Sequence, residues 1–315
     1  MTITGHTSTD RMETPVIDYE GSQYKTNFWE GQGRDYEDAT ERLALKQLLP
    51  SQGVRIAEIG AGFGRLASMY LGYEQIILFD YSRTLLQDAA KQWGHDPRFV
   101  FVAGNIYTLP LATGILDSLV MVRVMHHLAN VPQALQQIQR VMHRHSVAVV
   151  EYANKRNFKA LLRWVLGKQV WSPIDLAPVE FVKLNFDFHP MWMNRQFNQA
   201  KLLVNDQLAV SHFRWPLLKN NLNAEKLAKA DHALFRLGGL YPLAPSVFTQ
   251  LTAPTATARA IVMPEPSALA QLFCCPSCAK EMFEMVGNEQ LLCMNCGKRY
   301  IQKSGVWDFK DAVLA

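Results

Sequence analysis

The sequence predicts an α/β protein: a mostly parallel sheet covered by helices on both faces, followed by a small metal-binding module. Three observations carry this. Short apolar runs alternate with helical stretches between residues 54 and 151, as in a parallel sheet buried on both faces. A glycine-rich turn, Gly60-Ala61-Gly62-Phe63-Gly64, follows the first of those runs. All five cysteines fall after residue 273, too clustered to staple a whole chain as a disulfide framework does.

The elements follow in order. Residues 1–22 have no apolar core, so they read as a disordered tail without a secretory signal, and a cytoplasmic chain is expected. A helix with apolar Leu43, Leu45, Leu48 and Leu49 ends at Pro50. Strands are expected at 54–59, 75–80, 99–102, 118–122 and 147–151, with helices over 66–71 and 131–142. A long insertion, 152–206, reads as a lid. Two more strands, 207–213 and 246–251, flank a helical insertion at 222–240. The stretch 253–270 is rich in Ala, Thr and Pro and reads as a linker. Residues 271–315 form the metal module, and 23–252 the main domain.

Composition narrows the class. At 315 residues the chain suits about two domains. With 49% hydrophobic and 19% charged residues it is neither disordered nor fibrous. No run reaches the roughly 18 apolar residues of a membrane span. The net charge of +4 is unevenly placed. Residues 155–236 hold 13 Lys and Arg against 6 Asp and Glu, and also Trp164, Trp171, Trp192 and Trp215.

The glycine turn points to a nucleotide cofactor. Glycines let the backbone bend sharply and approach a ligand that a Cβ would hold off. A dinucleotide turn wants G-x-G-x-x-G, which sets a pyrophosphate on a helix N-terminus. Here the third glycine comes one residue early, and an acid, Glu58, precedes the first. The pattern E-x-G-x-G-x-G resembles motif I of class I S-adenosylmethionine (SAM) methyltransferases. Three more segments fall in the family's order. Asp80 ends the second strand 18 residues after Gly62. Gly104-Asn105-Ile106-Tyr107-Thr108-Leu109-Pro110 resembles the G-D-A-x-x-L-P segment of the ubiquinone/menaquinone-type family, with Asn105 in place of its acid. Leu116 to Leu128, with His126-His127-Leu128, resembles that family's fourth strand and following turn.

The resemblance covers about residues 28–152. It implies a seven-stranded Rossmann-like methyltransferase sheet, mostly parallel, with its last strand antiparallel. It implies SAM as cofactor, held by Glu58, Gly60, Ala61, Gly62 and Gly64, by Asp80 at the ribose with Tyr81 beside it, and by Asn105 and Ile106 at the adenine. Arg123 joins this set, and Arg34 and Tyr36 sit where the family's N-terminal helix covers the methionine end. His126 and His127 read either as a catalytic base, since imidazole titrates near neutral pH, or as structural and pocket-lining groups.

Cys275-x2-Cys278 and Cys293-x2-Cys296, separated by fourteen residues, form two thiolate knuckles. Four thiolates in a tetrahedron make a closed structural zinc site, with no position left for chemistry. Cys274 reads as a bystander. The module resembles the zinc-ribbon subunits that activate tRNA, rRNA and translation-factor methyltransferases, through C-P-x-C, C-x-x-C-G-K-x-Y and the apolar end Gly305-Val306-Trp307-Asp308-Phe309. Its five basic and five acidic side chains make a poor footprint for phosphates.

Methyl transfer from a sulfonium needs alignment and exclusion of water, not a covalent residue. No N/D-P-P-Y/F motif follows the fourth strand, and no cysteine lies near the site. Two acceptor classes remain open. A small or lipophilic molecule would lie under the 152–206 lid, and the basic amphipathic 155–166 stretch reads either as a membrane-touching helix or as one packed on the core. RNA or a protein of the translation apparatus would instead meet the basic, Trp-rich 155–236 stretch or the ribbon. The first is favoured. A non-catalytic SAM-fold scaffold is the third reading. His189 and His212 are further candidates for the acceptor pocket.

Overall fold

A computed structural model describes residues 14–21, 29, 32–256 and 268–314. Its centre is an eleven-stranded mixed sheet. Five strands, β1 (Gly53–Ile59), β2 (Tyr73–Asp80), β3 (Phe99–Ala103), β4 (Leu116–Met121) and β5 (Met142–Ala153), run parallel in the order β3-β2-β1-β4-β5. A surface hairpin, β6 (Val179–Val182) and β7 (Asn185–Asp187), stands apart in its own sheet. The central sheet then adds β8 (Leu203–Val210) outside β9 (Ser246–Thr252), and β9 is antiparallel to both neighbours. The first seven strands of the sheet thus have the expected mixed α/β arrangement.

The apolar runs explain why these strands are central. Alternate side chains of one strand feed two cores. Ala57, Ile77, Val102 and Leu119 face one layer, while Ile56, Ile76, Phe101 and Val120 face the other. Helices α1 (Asp35–Leu48), α2 (Arg83–Trp93) and α3 (Val131–Val141) cover these layers. Ser82 caps α2 by accepting from the Leu85 N–H, and Asn130 caps α3 from Gln133. Beyond β5 come α4 (Phe158–Val165) and α5 (Pro190–Gln199). Between β8 and β9 lie α6 (Pro216–Asn221), α7 (Ala224–His232) and α8 (Phe235–Leu240). Among the described residues no helix is long and apolar enough to cross a membrane.

The cysteine module adds β10 (Phe283–Val286), β11 (Gln290–Cys293), β12 (Lys298–Lys303) and β13 (Val306–Leu314). It does not stand apart from the sheet. β13 pairs parallel with β3, with Val306 beside Phe101 and Asp308 beside Ala103. Trp307, 1% exposed, and Phe273 join the same core as β3 and α3. The Ala112 N–H donates to the Leu272 carbonyl at 2.8 Å, and Arg83 Nε donates to Asp308 Oδ2 at 2.7 Å. The free edge of β3 is thereby covered, which removes an aggregation-prone edge. Most of the expected linker, 257–267, lies outside the described residues.

Two local expectations need correction. The glycine turn leads into a single 3-10 turn, Ala67–Tyr70, in place of the α-helix expected over 66–71. The expected tail is not free over 14–21: Thr14 reaches Gln133, Gly21 reaches Thr84, and Tyr19 reaches His127. Residues 1–13 and 22 lie outside the described residues.

Candidate functional site

The C-terminal ends of β1 to β4 leave a hollow. Gly60 and Gly62 of the turn, Asp80 and Tyr81 after β2, Gly104 and Ile106 after β3, and Arg123 and His127 after β4 all line it. Gly60, Gly62 and Gly64 have φ of 77°, 55° and 77°, where a side chain is strained. A Cβ at Gly60 would lie 2.0 Å from Val124 Cγ2, and one at Gly64 would press on Leu78, Ala89 and Trp93 at 3.3 Å. At Gly62 the nearest atom is Leu85 Cδ1 at 3.9 Å. Gly64 therefore serves close packing on α2, while Gly62 keeps its space open beside the hollow.

Asp80 holds the turn. Its Oδ2 accepts from the Gly62 N–H at 2.8 Å and its Oδ1 from the Ser82 N–H at 2.8 Å. Burial raises its pKa, against those N–H donors. Tyr81 lies under the ammonium of Lys310 from β13, 3.8 Å from the ring centroid. Asn105 turns inward on its own chain, accepting from the Tyr107 N–H at 2.9 Å. It lines the groove toward the ribbon, whereas Ile106 lines the hollow itself.

A second hollow shares Gly60, Gly62 and Arg123 with the first and adds Trp29, Glu58, Ala61 and Arg65. Glu58 is 4% exposed. Burial lifts its pKa to about 8, with Arg65 acting the other way. Arg123 sits at φ 59°. Its Nε donates to Glu41 Oε1 at 2.7 Å and its N–H to Glu151 Oε2 at 2.9 Å. Arg65 donates to Glu41 Oε2 at 2.6 Å. Burial works to raise the Glu41 pKa, but Arg123 and Arg65 outweigh it and hold the carboxylate below its usual range. The Trp29 ring stacks on this cluster, 3.9 Å from the Arg65 guanidinium, 5.1 Å from Arg123 and 5.7 Å from Arg34.

Tyr36 does not join them. Its hydroxyl donates to Asp231 at 2.9 Å and accepts from the Phe213 N–H at 3.0 Å, in a core with Leu227 and Ala228. The two histidines also divide. His127 lines the hollow, with Nδ1 3.2 Å from the Leu184 carbonyl and Nε2 3.3 Å from the Tyr19 hydroxyl. The carbonyl requires a proton on Nδ1, so Nε2 accepts. The His126 ring lies beside it, centroids 3.9 Å apart and tilted by 48°, and among the described residues its Nδ1 has no hydrogen-bond partner. Burial, then His127, keeps the His126 pKa well below the usual imidazole range, and burial lowers His127 as well. His189 caps α5 from its Nδ1, accepting from Met191 N–H at 3.1 Å. His212 pairs with Asp231 at 2.6 Å and lines a separate cavity of about 420 Å³ with Phe158, Lys159, Phe213, Arg214 and Trp215.

Sequence reasoning missed the strap over the hollow. Val16, Ile17 and Tyr19 line it, and Glu20 accepts from the N–H groups of Arg83 and Thr84 at the start of α2. Two apolar residues and a tyrosine inside a polar tail give no periodic signal. Glu41 and Glu151 were also missed, since buried partners of an arginine carry no motif.

The four thiols of Cys275, Cys278, Cys293 and Cys296 all lie within 4.8 Å of one another, with pairs at 3.6 and 3.7 Å. A tetrahedron with Zn–S bonds of about 2.3 Å has edges of about 3.8 Å. The cluster therefore fits a four-thiolate zinc ion. Cys274 is not among the four; its backbone N–H donates to the Pro110 carbonyl at 3.2 Å.

Residues 57–150 match the family model described as a methyltransferase domain. No curated protein sequence matches the chain. Among solved structures, a chain from the complex between the Haloferax volcanii Trm112 methyltransferase activator and a methyltransferase is 16% identical. That match covers 74% of this chain and 98% of that one, at TM-score 0.52. A Thermotoga maritima SAM-dependent methyltransferase is 18% identical over 70% of this chain and 91% of its own, at TM-score 0.50. One from Mesorhizobium loti is 16% identical over 69% and 99%, at TM-score 0.50. At these identities the likeness carries the fold.

Proposed function

We propose that this chain, a class I SAM-dependent methyltransferase, binds SAM in the hollow above β1 to β4 and methylates a small or lipophilic acceptor by direct displacement. The observation that carries the reading is the Asp80 carboxylate, which lines that hollow half-buried and is fixed by the Gly62 N–H. The residues fit the cofactor. Asp80 has lone pairs left for ribose hydroxyls, Gly62 leaves room for the chain, and Ile106 and Tyr81 offer an apolar bed for adenine. Glu58, Arg123 and Arg34, around Trp29, face the methionine end. When bound, SAM supplies a methyl group activated by its sulfonium.

The remaining tasks fall to this chain. The strap excludes water through Val16, Ile17 and Tyr19. His127, uncharged near neutral pH, takes an acceptor proton at Nε2 once Tyr19 gives way. His126 backs it as a buried neutral ring. The cavity beside Phe158 and Trp215 supports an apolar acceptor. An RNA acceptor would instead show as steeply salt-dependent binding.

The ribbon we read as a built-in counterpart of a separate activator, holding zinc through Cys275, Cys278, Cys293 and Cys296. The Haloferax structure pairs a methyltransferase with the activator Trm112, and the pairing of β13 with β3 supports the analogy. Domain limits of 23–252 and 271–315 go with that reading.

Calorimetric titration with S-adenosylhomocysteine tests the site. Micromolar binding is expected, weakened about 10- to 100-fold by Asp80→Ala, since one or two charge-assisted hydrogen bonds are lost. No binding by the wild-type chain would overturn the reading.

A further inference from the structure

The apolar side chains of α4 point outward. Phe158 is 53% exposed, Leu162 45%, Val165 73% and Leu166 57%, and within α4 only Ala160 is buried. These four recur at i, i+4, i+7 and i+8, one face of a helix. A helix packed on a core turns such a face inward. This one turns it to solvent.

Two other segments meet α4 at the same edge. The Phe158 N–H donates to the Leu243 carbonyl at 2.8 Å, and the Arg156 guanidinium lies 3.9 Å over the Tyr241 ring. Lys159 bonds the Arg214 carbonyl and lies 5.6 Å over Trp215. These segments add Leu240 at 86%, Tyr241 at 62%, Trp215 at 43% and Leu217 at 74% exposed. Of the 25 large hydrophobic side chains exposed among the described residues, nine fall in 158–166, 214–217 and 240–243. That density in three touching segments exceeds what scattered surface apolars give. The cavity of about 420 Å³ lies within the same edge, between Phe158, Trp215 and Leu218.

The chain through α4 is basic. From 156 to 174 stand Arg156, Lys159, Arg163 and Lys168 with no acid, although Asp187 and Glu37 lie close enough to act on Arg163 and Lys159. Amphipathic helices that lie in a bilayer interface combine an apolar face, aromatic side chains and flanking Lys and Arg. Phosphate-binding surfaces of nucleic-acid proteins place bases on aromatic planes and keep aliphatic side chains inside. Here Leu162, Val165, Leu166, Leu217 and Leu240 dominate the exposed set, which suits acyl chains.

We propose that the edge formed by α4, residues 214–217 and residues 240–243 docks on an anionic lipid bilayer, with the leucines and Val165 in the acyl boundary and the exposed Arg163 and Lys168 at the headgroups. The proposal stands on this surface alone and holds whatever the methyl acceptor is.

Co-sedimentation with vesicles tests it, using the full chain. One set is pure phosphatidylcholine and the other holds 30% phosphatidylglycerol, a composition on the order of an anionic leaflet. Binding to the anionic vesicles alone is expected. Leu162→Asp with Val165→Asp should abolish it. Arg163→Ala with Lys168→Ala should weaken it about twenty-five-fold, about fivefold per cation. All four positions are exposed, and S-adenosylhomocysteine affinity reports that each variant is folded. Three results would overturn the proposal: no binding to either vesicle, equal binding by the double aspartate variant, or binding to RNA in place of vesicles.

Discussion

The centre and the ribbon end of the eleven-stranded sheet keep their shape by different means. At β1 five of seven residues are buried and at β2 six of eight, and side chains on both faces enter large cores. At β10 one residue in four is buried, and at β11 two in four. So few apolar contacts do not offset the entropy of ordering a small module. The ribbon relies instead on four thiols and on the neighbouring β3. Stability is thus intrinsic at the centre and borrowed at the ribbon end. The borrowing end reaches the cofactor hollow, through Lys310 over Tyr81.

The sharpest way to break this comparison is to remove the metal site. Cys293→Ser with Cys296→Ser should unfold the ribbon, because structural zinc contributes on the order of 10 kcal/mol in small modules. Hydrogen exchange should then lose protection at β12 and β13 while β1 and β4 keep theirs. Equal loss in both regions would mean a single cooperative unit. Next comes the joint. Trp307 is 1% exposed and packs on Phe273 at 6.1 Å between centroids. Trp307→Ala should cost about 3–5 kcal/mol, read by urea unfolding of the zinc-loaded chain.

The intrinsic centre carries a strained group of its own, and pH exposes it. Burial lifts the Glu58 pKa to about 8, against about 4.3 in an unfolded chain. Between those values the folded state holds the extra proton, so stability falls as pH rises through that window and stays low above it. Glu58→Gln should flatten this slope, making the variant more stable than wild type at pH 8.5 by on the order of 2 kcal/mol. Thermal melts at pH 5 and pH 8.5 decide it; parallel slopes in the two proteins would rule Glu58 out as the cause.

The same contrast explains what was legible in sequence. Strands β1 to β5 were readable because both faces are buried over much of their length, so each carries a short apolar run. Gly60 and Gly62 were readable because the turn needs positive φ, and the four cysteines because their paired spacing is that of a four-thiolate metal site. The docking of β13 on β3 left no mark, since parallel edge pairing uses backbone groups that every residue has. Tyr36 misled for a related reason. It lies one turn from the cluster around Trp29, but its hydroxyl serves Asp231 on the other side of α1. A helical neighbour in sequence can face the opposite way in space. The outward apolar face of α4 was readable as amphipathic, but only burial tells which face meets solvent.

Lys310 sharpens the comparison at its smallest scale. Its ammonium lies 3.6 Å from Asp18 and 3.7 Å from Glu20 of the strap, as well as over Tyr81. Those pairs are partly exposed, so each is worth about 0.2–1 kcal/mol. If the ribbon helps close the cofactor hollow, Lys310→Met should weaken S-adenosylhomocysteine binding about two- to fivefold at low salt and leave the unfolding midpoint nearly unchanged. The difference from wild type should shrink in about 1 M salt, where the screening length falls to about 3 Å. A fall in the midpoint with unchanged affinity would reverse the assignment, making Lys310 part of the joint and leaving the strap independent of the ribbon.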